Sequence, residues 1–358
     1  MAIVLIGMVL LTRKADEPLP EVPNSTTVQP ATKSLSSQSA TREKEAQPSS
    51  VHRHTASVAP SSPEPKDERT LFQRLLDGES ISLSDAQKDK FLTENNRSAD
   101  SLLALGDIDS LREAAQNFPN DPLVQMKLAF KGETEKERLD ALNAFKELSK
   151  TNPLGDYLSA LRNFKNGDTD MGVKDLNQAM TKPDFQDFYF DQAQVAEELY
   201  LSTGHKPTDA KASGMFGVEL PHFVELRDLG LEIKKLQQGY MADGDTESAT
   251  AMQEMALIMA RQLQDNPHTL LHEMVGLALE RNAWADIPGD TIIGEDGQTV
   301  AERIEALNKE RQSLKELANI SDLLTTLPEH DLLIYLDRSK TLGEAEALKW
   351  LEEKYSGK

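Results

Sequence analysis

The 358 residues contain no cysteine. That excludes disulfides, thiolate metal sites and a cysteine nucleophile, while leaving the redox compartment open. Aromatic side chains make up only 5% of the chain, whereas Leu, Ala and Met are plentiful, a balance that suits helix packing better than a β-sandwich. Positive charge is scarce: 39 Lys and Arg stand against 60 Asp and Glu, for a net charge of −21. Residues 1–69 are balanced, with eight basic and eight acidic side chains, so the whole excess falls in residues 70–358, where 31 oppose 52. So acidic a body disfavours nucleic acid, whose binding depends on Lys and Arg neutralising phosphates. It is compatible with a basic peptide, a basic protein or cations, and equally with a plain solvated surface. The sequence also lacks a Gly-x-Ser-x-Gly elbow, a phosphate loop ending in Gly-Lys-Ser/Thr and a dinucleotide fingerprint. A non-enzymatic protein is the expectation, with no catalytic residue and no cofactor assigned.

Three regions differ in composition. Residues 1–14 form an apolar N-terminal segment, Ala-Ile-Val-Leu-Ile-Gly-Met-Val-Leu-Leu-Thr over residues 2–12, closed by Arg13 and Lys14. As a helix, residues 2–12 would span about 16 Å, short of the ~20 residues needed to cross a bilayer. A membrane anchor or a truncated export signal is the expectation, with association through residues 2–12 and a place in the cell envelope; a cytoplasmic protein with an apolar N-terminus is the alternative. Residues 15–67 read as a disordered linker, since 23 of residues 15–66 are Pro, Ser or Thr and none is aromatic. Such a stretch buries too little apolar surface to offset its chain entropy. As a flexible coil its ends would average about 40 Å apart.

Residues 68–358 read as an all-helical domain. Gly167-Asp168 is the clearest turn between two short helices: the glycine is able to enter the left-handed region that ends one helix, and the aspartate can cap the next. Gly244-Asp245 repeats the device, and Gly106-Asp107 repeats it more loosely. Ser82 or Ser84 is the expected cap of a helix through Phe91 and Leu92. A long amphipathic helix is expected over 299–324, after a Gly-rich acidic loop at 288–297. A final helix pair at 332–336 and 345–355 closes the domain. The aromatic run Phe185, Phe188, Tyr189 and Phe190 and the stripe Met252, Met255 and Met259 are expected in the core rather than on a ligand platform or groove.

These hairpins resemble the tetratricopeptide repeat, a unit of about 34 residues with small side chains where two helices cross. The unit from Pro153 carries the resemblance through Ala160, Gly167, Gly172, Leu176 and Ala179. The unit from Gly230 does so through Leu236, Tyr240, Gly244, Ala249 and Ala256. A unit from Pro122 shows Leu128, Ala129, Ala141 and Phe145, and one from Phe190 keeps only Tyr200 and Gly204. Ser159, Gln237 and Gln253 depart from the apolar or small residues of the pattern. The resemblance implies antiparallel helical hairpins stacked as an irregular α-solenoid. It further implies a non-enzymatic binding or scaffolding role, with a peptide or protein partner held on the concave face by first-helix residues: Met126, Phe130, Tyr157, Leu161, Lys234 and Gln238.

His268, His272 and Glu273 support the competing reading, a metal-dependent hydrolase or metalloprotein. Two histidines four residues apart share a helix face and can bind zinc together. The glutamate nevertheless follows the second histidine rather than the first, Gly276 stands where a metalloprotease helix beginning at His272-Glu273 would place its next histidine, and no third ligand is apparent. Asp243-Gly-Asp-Thr-Glu247 begins like a calcium loop, but Ser248 occupies the place of the required glycine. No metal is assigned on either count.

Overall fold

The computed structural model describes residue 74, residues 83–265 and residues 267–355. The expectations for residues 1–67, anchor and linker alike, lie outside the described residues. The described residues are all-α, without a strand; Ile292 and Thr299 form one isolated antiparallel bridge. Fifteen helices follow one another: α1 (Asp85–Glu94), α2 (Ala99–Leu105), α3 (Ile108–Asn117), α4 (Pro122–Lys131), α5 (Glu135–Leu148), α6 (Leu154–Lys165), α7 (Thr169–Met180) and α8 (Tyr189–Ser202). They continue as α9 (Pro207–Phe216), α10 (His222–Ala242), α11 (Thr246–Gln264), α12 (Leu270–Trp284), α13 (Val300–Ile320), α14 (Glu329–Leu342) and α15 (Glu344–Tyr355). None of these helices is long and apolar enough to cross a membrane.

Local chemistry explains most boundaries. Gly167 has φ +80° and Gly244 φ +78°, the left-handed conformation open to a residue without a Cβ. Immediately after them, Asp168 accepts the Met171 N–H at 3.1 Å and Asp245 accepts the Ser248 N–H at 3.0 Å. The residues that mimic a calcium loop are thus a turn and its cap. Ser84, not Ser82, caps α1, in a reciprocal box with Gln87. Thr299 and Glu302 form the same box at α13. That helix ends at Ile320, and the remainder of the expected stretch tightens into a 3-10 turn over Ser321–Thr325.

Sequential helices pair as α2–α3, α4–α5, α6–α7, α8–α9, α10–α11 and α14–α15, and α11 also packs on α12 as extensively as α8 does on α9. Helices distant in sequence also pack together: α2 on α8, α6 on α10, α7 on α11, and α9 on α14. Repeat arrays in which each unit touches only its neighbours lack contacts of this kind.

Apolar side chains segregate into two clusters, and α12 contributes to both. Leu271, Val275, Leu279 and Ala283, each four residues apart, join the cluster built from α1–α7, α10 and α11, with Val195 of α8. Leu270, Met274 and Leu277 face the other, built with α8, α9, α13, α14 and α15. A helix apolar on two faces has to be enclosed, which places the N-terminal turn of α12 and His272 inside the molecule, with His268 half-buried just before it. The methionine stripe of α11 is buried as expected.

The three departures from the repeat pattern have polar partners or burial of their own. Ser159 donates to Asp175 Oδ2 at 2.6 Å, and Gln253 Nε2 donates to the Ala283 carbonyl at 3.2 Å. Gln237 is buried among core side chains.

Candidate functional site

The six first-helix residues do not form one surface. Met126 is buried, and Tyr157 is only 1% exposed. The Tyr157 hydroxyl donates to Gln262 Oε1 at 2.5 Å, and Gln262 Nε2 donates to the Lys182 carbonyl at 2.8 Å. Burial pushes the phenol well above its ordinary pKa. Tyr157 therefore joins α6 to α11, and no partner reaches its ring in this arrangement. Lys234 and Gln238 sit together on α10, where both meet Asp286, at 3.5 Å and 2.8 Å.

Phe130 and Leu161 do meet, at a cleft of about 390 Å³ between α4, α5, α6 and α10, although Leu161 is as buried as Tyr157 and lies at the floor, while Phe130 is half-buried. Its apolar lining comes from Ala129, Phe130, Leu142, Leu158 and Leu161, and its polar lining includes Arg138, Arg162, Lys165 and Glu225. Glu135 lies at the same edge and is engaged by both Arg138 and Arg162. The cleft is thus a patch with cationic edges on a strongly acidic chain. Burial raises the Glu225 carboxyl, with Lys165 opposing that shift.

The histidine region is built differently from a metal centre. His272 turns inward from α12, while Glu273 faces a separate groove. His268 packs against Phe190, with ring centroids 4.7 Å apart, and burial lowers its pKa. Among the described residues no group of three or more His, Cys, Asp or Glu side chains is placed to hold a metal ion. The partners of His272 were not visible in the sequence. Its Nε2 lies 3.1 Å from Asp187 Oδ2, and His222 Nε2 approaches the same oxygen at 3.3 Å. All three side chains are at most 2% exposed. The two approaches are short, and neither is aligned as a hydrogen bond. Thr269 N–H donates to His272 Nδ1 at 3.3 Å, which leaves the proton of the neutral ring on Nε2, facing the carboxylate.

Local structure aims Asp187 inward. Phe188 adopts φ +56°, an unusual value for a residue with a Cβ, and Asp187 Oδ1 accepts the Tyr189 N–H at 3.1 Å. Asn152 holds the same segment by donating to the Gln186 carbonyl at 2.7 Å and accepting its N–H at 3.2 Å. Burial by itself would raise the Asp187 carboxyl, but the contacts with His222 and His272 outweigh it and hold the group well below the usual carboxylate range. The aromatic run belongs to this packing: Phe185 lies edge-on to His272, and Phe188 edge-on to Phe145.

Asp156 and Asp175 form the other buried acidic pair. Lys146 bridges them, at 3.2 Å and 2.7 Å; Lys182 contacts Asp156, and Asn163 donates to Asp175 at 2.8 Å. Each carboxylate is thus matched by fixed cations or donors. This network ties α5, α6 and α7 together rather than presenting an acid and a base to a substrate.

Comparison with protein-family models, with curated proteins and with solved structures gave no match.

Proposed function

We propose that this chain is a non-enzymatic binding or scaffolding module of tetratricopeptide-like hairpins, which receives a peptide or protein partner in the cleft around Phe130 and Leu161. The observation that carries the reading is the position of that cleft, where the first helices of three hairpins (α4, α6 and α10) converge around an apolar lining. A cavity of this size accommodates apolar side chains of a ligand. Arg138, Arg162 and Lys165 at its edge favour a partner bearing acidic groups near its apolar anchor. Tethering to a membrane through residues 2–12 belongs to the same proposal and rests on the apolar run followed by Arg13 and Lys14.

Site-specific photo-crosslinking in the native host tests both parts. A photoreactive residue at the exposed Asn166, beside the cleft, is expected to capture one reproducible partner; the same residue at the exposed Lys309 should not. Phe130→Ser in a chain that retains its helical circular dichroism is expected to abolish the adduct. Equal labelling from both positions, or an adduct indifferent to Phe130→Ser, refutes the cleft. Recovery of the full chain in the soluble fraction alone refutes the tether.

A further inference from the structure

A second groove, of about 690 Å³, lies between α12, α13 and α15 and shares no residue with the cleft around Phe130. Its base is apolar: Leu277 from α12 and Leu314 and Leu317 from α13, which are largely buried and form the floor, Ala345 from α15, and Leu342 at the end of α14, which is 55% exposed. Around that base stand Glu273, Glu310, Glu316, Glu346 and Glu352, with Lys349 the only basic side chain of the lining among the described residues. Glu346 already engages Lys349 at 2.6 Å, and Glu310 meets Arg303 at 3.3 Å. Among the described residues neither Glu316 nor Glu352 has an ion-pair partner. The groove therefore pairs an apolar stripe with a surplus of negative charge.

We infer that this groove is a docking site for a basic amphipathic helix, which would lay an apolar stripe on Leu314, Leu317 and Leu342 and direct Lys or Arg at Glu316 and Glu352. Three physical points select this occupant. The described residues offer no strand edge, so an extended peptide would find no main-chain ladder to join, whereas a helix satisfies its own backbone. Walls made of helices present ridges and grooves at the spacing on which a fourth helix packs. The carboxylate surplus attracts cations and repels this acidic chain's own helices, which disfavours a second copy as the occupant. Long basic side chains also lay their apolar stems along such a base while their charges reach the rim.

The test titrates the full-length chain into a fluorescent helix-forming peptide of about 18 residues, made of Leu and Lys with Leu at i, i+3, i+4 and i+7. A scrambled peptide of identical composition, lacking the stripe, serves as control. Saturable binding of the patterned peptide is expected, with the scrambled peptide weaker by about tenfold or more. Reversing two rim charges, in Glu316→Lys with Glu352→Lys, should weaken binding by a similar factor of about ten. Leu342→Asp, at an exposed position that leaves the core intact, should weaken it as well. Equal affinity for the two peptides would reveal only the general field of an acidic protein and overturn the inference. Unchanged affinity in both variants would overturn it too, as would self-association of the chain abolished by Leu342→Asp. None of these outcomes bears on the cleft at Phe130.

Discussion

Replacing Asp187 with Asn removes one charge from the interior and turns an amide NH2 toward the two imidazoles. Asn is close to isosteric, so no cavity opens, and its side-chain oxygen remains able to accept the Tyr189 N–H. What disappears is the carboxylate that His222 and His272 approach at 3.3 Å and 3.1 Å. Removing one partner of a buried, charge-matched group costs about 3–5 kcal/mol. The partners are two imidazoles rather than Lys or Arg side chains, so the lower end of that range, about 3 kcal/mol, is expected near neutral pH. Urea unfolding followed by circular dichroism measures it as a lower midpoint with an unchanged slope. The pH dependence supplies a separate check. The folded-state pKa of Asp187 is depressed, so its stabilisation is present above its unfolded value of about 3.9 and is lost as pH falls through the acid range toward the folded value. The difference between wild type and Asp187→Asn should therefore shrink below about pH 4. A cost near neutral pH under about 1 kcal/mol, or a difference that keeps growing below that pH, would refute the charge-matching account.

Two further substitutions address the packing and the turns. A Cβ at Gly214 would lie 2.5 Å from the Ala193 carbonyl oxygen and 3.0 Å from the Glu197 backbone nitrogen. Gly214→Ala should force α8 and α9 apart at a cost of about 1–3 kcal/mol, and wild-type stability in thermal unfolding would disprove the close crossing. Asp168→Ala removes the acceptor for the Met171 N–H at an exposed helix start. A loss of about 1 kcal/mol is expected, with Asp168→Ser retaining most of the stability; an equal loss in both would mean that the cap is not the cause.

Sequence determined what depends on a few consecutive residues. The left-handed turns at Gly167 and Gly244, the caps at Asp168 and Asp245 and the buried methionine stripe of α11 were all legible, because each answers to backbone geometry or helical periodicity within one or two turns. The all-α class followed from the same signals. Tertiary structure decided which helix faces meet. Tyr157 carries the local pattern of a first-helix residue whether it faces outward or reaches Gln262 on α11, and only the packing of α6 against α7, α10 and α11 buries it. Asp187 gave no local signal at all, because its histidines arrive from the starts of two other helices far along the chain. Both grooves depend likewise on side chains from three or four helices. Periodicity reveals that a helix has an apolar face; the partner that covers the face, or leaves it open, is fixed by long-range contacts that no short window of sequence contains.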